Sequence, residues 1–164
     1  MAKEAIGFDE FLGAVEPPYR DFVSGLHRYL LDSGCKAKIE VKSNGYLVSY
    51  SHLVGKSRRS IANFLFRKKG MMVRIYGENA GKYQEFLEKL PQEMIEAIQK
   101  AGVCKKLIDP GACNPKCGLG YDFMIGDEHF AKCGYGCFMF FVNDGNNGYI
   151  RGFVENEMRF RGDL

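Results

Sequence analysis

The sequence predicts an α+β fold: a largely antiparallel sheet with helices packed on one face, and helices near both the N- and C-terminal ends. Three observations predict it. Apolar residues change from helical spacing to strict alternation in long blocks, with no repeating βα rhythm. The strand blocks are joined by short glycine-containing turns, which connect antiparallel neighbours. The 164 residues, 46% hydrophobic and 26% charged, suit one globular domain spanning 1–164 that needs no disulfide or metal to build a core.

The elements follow in order. "PPYRDFVSGLHRYLLDSG" reads as a helix, because Pro17 and Pro18 suit a first turn whose amide donors lack intrahelical acceptors. Phe22, Val23, Leu26, Tyr29 and Leu30 form its apolar stripe, and Gly34 is its stop. "KAKIEVKSNGYLVSYSH" alternates at period two, with Ala37, Ile39 and Val41 against Lys36, Lys38, Glu40 and Lys42. Asn44-Gly45 predicts a type I′ hairpin with both residues at positive φ. "SIANFLFRKKGMMVRIYG" predicts a second hairpin turning near Lys69-Gly70, giving four antiparallel strands by Tyr76.

"NAGKYQEFLEKLPQEMIEAIQKAG" returns to helical spacing, broken and restarted at Pro91. A Gly/Pro-rich stretch, "DPGACNPKCGLG", follows. "YDFMI" and "FMFFV" read as strands, and "YDFMIGDEHF" as a strand, a Gly-Asp turn and a return strand. "GNNGYIRGFVENEMRFRG" is the last helix, with Ile150, Phe153, Val154 and Met158 facing inward. Glu155 and Glu157 fall two apart on it, so they do not share a face; both are expected in solvent, pairing loosely with Arg151, Arg159 or Arg161.

Four of the six cysteines form two C-x3-C pairs, Cys113/Cys117 and Cys133/Cys137, within a candidate cysteine-rich subdomain at 104–142. Four thiolates around one Zn²⁺ make a standard structural site. The 15 intervening residues have the form of a hairpin, which would let the pairs converge. Zinc ribbons normally place two residues between paired cysteines rather than three, so the pattern is less specific than a ribbon. Buried core thiols, a redox or disulfide role and an iron–sulfur cluster remain open alternatives. Cys104 and His129 are substitute ligands, and Cys35 reads as structural.

The charge is uneven. Residues 36–74 hold ten basic residues and one acid, a net +9 in a chain of net +3. Lys56, Arg58, Arg59, Arg67, Lys68 and Lys69 are the candidate anion-binding residues, for nucleic acid or a phosphate ligand, with Tyr46 and Tyr50 as stacking surfaces. The competing reading is a solvated sheet face whose lysines also guard edge strands.

The hairpins followed by "KYQEFLEKLPQEMIEAIQKAG" resemble small bacterial α+β domains of the YjbR and YdhG kind. That resemblance implies a basic antiparallel sheet with a helical layer over roughly residues 37–100. "CNPKCGLGYDF" and "KCGYGCFMFFV" resemble the cysteine-bearing C-terminal part of small bacterial proteins, and this implies no catalytic residue.

Phosphate-binding glycine loops, a G-x-S-x-G elbow and H-E-x-x-H are all missing from the sequence, which points away from those enzyme classes. No apolar run reaches the roughly 18 residues of a membrane span, and the first residues do not read as a signal peptide. The expectation is therefore a cytoplasmic binding or regulatory module with a structural zinc site and no membrane partner. Anion binding and thiol redox chemistry are the alternatives.

Overall fold

The structure is a computed structural model that describes residues 6–102, 120–133 and 136–162. It is α+β, as the sequence predicts. The elements are α1 (Phe8–Gly13), α2 (Arg20–Asp32), β1 (Lys36–Lys42), β2 (Gly45–Val54), β3 (Ser57–Arg67), β4 (Gly70–Ile75), α3 (Gln84–Glu88), α4 (Gln92–Lys100), β5 (Gly120–Ile125), β6 (Glu128–Cys133), β7 (Met139–Phe141) and α5 (Asn147–Gly162). Short 3-10 turns at Pro17–Tyr19 and Ala80–Lys82 precede α2 and α3. Among the described residues, no helix is long and apolar enough to cross a membrane.

Helix α2 ends as its sequence dictates. Gly34 takes φ +94°, and its N–H donates to Leu31 O at 3.0 Å while Cys35 N–H donates to Leu30 O at 3.0 Å. This is the Schellman pattern, which satisfies the last carbonyls and turns the chain into β1. Cys35 is buried at that turn.

The five-stranded sheet has the order β1-β2-β3-β4-β7, antiparallel throughout. Alternation sorts its faces. On one face the pairings Ile39–Val48, Val48–Phe64, Phe64–Val73 and Val73–Phe140 form an apolar row. Helices cover this face: Phe11 of α1 stacks 5.7 Å from Phe64, and Phe153 of α5 lies 6.0 Å from Phe140. Val23, Leu26, Leu30, Met94, Ile98, Ile150 and Val154 complete one continuous core. Burying an aliphatic or aromatic side chain is worth about 1.5–3 kcal/mol.

The β1–β2 turn differs from the type I′ expectation. Lys42 pairs with Gly45, so Ser43 and Asn44 are the turn residues. No non-glycine residue among those described has positive φ; Gly45 alone takes +126°. The glycine also serves packing, because a Cβ there would stand 3.1 Å from the Phe66 ring. In contrast, Gly126 (φ +59°) opens the β5–β6 turn where the sequence places it, ahead of Asp127.

The β5–β6 hairpin attaches to the helical layer. Tyr121 and Phe123 lie 5.7 and 5.3 Å from Phe138, and Met124 N–H donates to Gln84 Oε1 at 2.9 Å. Lys132 donates to the carbonyls of Gln99 (3.0 Å) and Ala101 (2.8 Å), capping the C-terminal end of α4. Cys133 N–H donates to Gly102 O at 2.9 Å, and Cys133 also pairs with Gly120. Where Gly77 passes the core, the fit is tight: a Cβ would meet Phe138 Cε2 at 2.6 Å, so only glycine allows that approach.

Candidate functional site

The six candidate anion-binding residues do not form one patch. β3 runs from Ser57 to Arg67, and at about 3.3 Å per residue its ends lie about 30 Å apart. Lys56, Arg58 and Arg59 sit at one end. Arg58 donates to Ser51 O and Oγ at 3.2 and 3.1 Å, and Arg59 pairs with Glu78 at 3.1 Å. Those two guanidiniums are engaged in holding strands and loops. Arg67, Lys68 and Lys69 lie at the other end and make no ion pair among the described residues.

At that second end the sheet face opposite the apolar row carries a recess of about 180 Å³. Lys42, Arg67 and Arg74 line it, with Leu47 and Leu65 among its apolar residues. Register explains the grouping. Lys42 and Arg67 each pair with a glycine, Gly45 and Gly70, so no side chain stands opposite them across the strand pairs. Lys42 also bonds Glu40 at 3.0 Å, and that hydrogen bond, helped by Lys38, holds the Glu40 carboxyl below the usual range. Lys36, Lys38 and Lys42 share this face, as alternation predicts. Of the two tyrosines read as stacking surfaces, Tyr50 is buried in the core. It is on the opposite face, with its hydroxyl 2.7 Å from His27 Nδ1.

Two of the four candidate metal ligands are described. Cys133 ends β6, and Cys137 N–H donates to Cys133 O at 2.9 Å. That bond ties the backbone of the two cysteines together. The Cys137 side chain is fully buried, and burial pushes its thiol well up, partly offset by Lys132. Cys113 and Cys117, like Cys104, lie outside the described residues. Among the described residues, no group of three His, Cys, Asp or Glu side chains could hold an ion. His129 is four strand positions from Cys133, about 13 Å, and it pairs with Asp122 at 2.5 Å. It is therefore not a substitute ligand beside Cys133.

The largest departure from the sequence reading is Glu157, which is fully buried rather than solvated. Its carboxylate accepts from Tyr83 Oη (2.6 Å), Asn79 N (3.0 Å), Asn79 Nδ2 (2.8 Å) and Arg161 Nε (2.7 Å). Arg161, also buried, donates to Ser60 O (2.8 Å), Tyr76 O (2.6 Å) and His52 Nε2 (3.0 Å). A guanidinium only donates, so Nε2 of His52 accepts and the ring is neutral. The signal was present in the sequence: Ile150, Phe153, Val154, Glu157 and Arg161 lie on one helical stripe, with Glu and Arg at i,i+4. Glu155 does pair with Arg151 in solvent, at 2.8 Å, as expected. The buried network has every major group satisfied, which marks it as a structural latch for α5.

No protein-family model, curated protein or solved structure matches the chain.

Two outcomes follow for the latch. Replacing Glu157 by Gln leaves Arg161 buried against a neutral partner, and stability in urea unfolding should fall by about 3 kcal/mol or more. A drop under about 1 kcal/mol would show that the pair is not integral to the fold. Burial lowers His52, with Arg161 adding to the shift, and burial also lowers His27, both from 6.5. The unfolded chain then binds more protons than the native state just below pH 6.5. Stability from these histidines is present above that pH and is lost as pH falls through 6.5 toward their native values. Unfolding midpoints measured from pH 8 to 5 should show that decline, less steeply in His52→Gln.

Proposed function

We propose that the protein is a cytoplasmic binding module for phosphate-bearing anions, nucleic acid or a phosphorylated ligand, acting through the basic end of the sheet face opposite the apolar row. The supporting observation is the recess lined by Lys42, Arg67 and Arg74, with Lys68 and Lys69 in the adjoining turn. Arginine presents paired donors that match two phosphate oxygens, and lysine adds a mobile point charge. The apolar residues at Leu47 and Leu65 lower the local dielectric and strengthen those contacts. The reading assigns no reaction. It is in keeping with the basic antiparallel sheet that the resemblance to YjbR-like domains implies.

In the same proposal, zinc held by Cys113, Cys117, Cys133 and Cys137 fixes the C-terminal part. The support is the backbone hydrogen bond that ties Cys137 to Cys133. Zinc would supply a cross-link and no chemistry of its own. A thiol-redox role has less support, because Cys137 has no exposed surface for an oxidant or a partner thiol.

Fluorescence polarisation with a labelled single-stranded oligonucleotide and with polyphosphate as competitor tests the first part. Binding should weaken steeply between about 50 and 200 mM salt. Arg67→Glu should cost about tenfold or more in affinity, while Lys56→Glu, at the far end of β3, should leave it nearly unchanged. Absence of salt-sensitive binding to either polyanion would overturn the reading. Elemental analysis of protein purified without added metal tests the second part. One zinc per chain is expected, with release on thiol modification; four freely titrating thiols and no metal would sink it.

A further inference from the structure

A second recess, of about 430 Å³, opens at the same end of the sheet but between the helical layer and the strand ends. The link between α1 and α2, the start of α4, the β3–β4 turn and the exit of β7 all contribute to it. Its size is within the range of small-ligand sites. Two features define its chemistry. Tyr19 and Phe66 line it and are only partly buried, so aromatic residues from two separate segments border one space; Phe141 also lines it, but it pairs with Met72 and so sends its ring to the sheet face opposite Phe66. Glu16 and Glu93 line it too, are exposed, and make no ion pair among the described residues.

Aromatic rings bordering a recess attract cations through the negative potential of their faces, and carboxylates at the rim add a Coulombic term. A primary ammonium is strongly hydrated and gives up water reluctantly. A methylated or quaternary ammonium is bulky and weakly hydrated, and it presents methyl groups to rings and to apolar side chains such as Val15 and Met71. Lys69 is the one basic residue lining the recess, which leaves its formal charge at −1. It favours a ligand whose far end is polar or anionic.

We propose that this recess is a binding site for a methylated or quaternary ammonium group carried on a small molecule. The site is separate from the basic recess. The two share Phe66, but the cations Lys42, Arg67 and Arg74 line only the other one.

The test compares choline with 3,3-dimethylbutan-1-ol, which has the same shape and no charge, in amide chemical-shift titrations of the whole protein at constant ionic strength. Choline should give saturable shifts at Val15, Met71 and Val142, whose residues line the recess. It should bind about tenfold more tightly than the alcohol. The double variant Glu16→Gln/Glu93→Gln, altered only at exposed positions, should keep a native spectrum and lose about tenfold in choline affinity, with the alcohol unaffected. Equal binding of choline and the alcohol, no saturable shift at those amides, or full choline affinity in the double variant would each overturn the proposal. Loss of polyanion binding in Arg67→Glu should leave choline binding intact, which separates this site from the basic recess.

Discussion

The ion pair between Glu157 and Arg161 is the constraint on which the rest of the structure depends. Two charges removed from water cost several kcal/mol each unless their hydrogen-bonding capacity is met. Here it is met by five residues: Tyr83 and Asn79 on the carboxylate, Ser60 and Tyr76 carbonyls with His52 on the guanidinium. Apolar packing of Ile150, Phe153 and Val154 pulls α5 onto the sheet without fixing its rotation or its sliding position. The charged pair supplies that fixity, because a shift of one residue would leave both charges buried and unpartnered. Helix α5, β2, β3 and the segment after β4 are thereby set relative to one another.

With the helical layer fixed on one face, alternation dictates what the other face presents. Every residue that pairs into the apolar row sends its neighbour to the opposite face, and in β1 those neighbours are Lys36, Lys38, Glu40 and Lys42. Phe66 and Arg67 are consecutive on β3 and alternate between the two faces, so one strand end contributes an aromatic ring to one recess and a cation to the other.

The sequence made the elements legible where local chemistry decides them. Gly34 ends α2, Pro91 separates α3 from α4, and Gly126-Asp127 turns the β5–β6 hairpin. It misled where a local preference had two outlets. Asn44-Gly45 is a strong positive-φ signal, yet only the glycine uses it, because Lys42 pairs with Gly45 and the turn is formed by Ser43 and Asn44 instead. Glu157 was misread because spacing was judged against Glu155 rather than against Phe153 and Val154, its companions on the inward stripe. The basic segment was legible as composition but not as a site. Compactness along the chain does not imply compactness in space when an 11-residue strand separates Arg58 from Arg67. The second recess is not legible in the sequence, since its lining residues come from positions as far apart as 16, 66, 93 and 141.

Cys133 has a consequence for how this fold can change over time. Its backbone bonds Gly102 on one side and pairs with Gly120 on the other, so the chain leaves the helical layer and rejoins the hairpin beside one residue. Closing a longer connection between two such anchors costs only about 0.6 kcal/mol for each doubling of its length. A change in the length of the chain between Gly102 and Gly120 would therefore weigh little on this closure so long as both bonds at Cys133 persist.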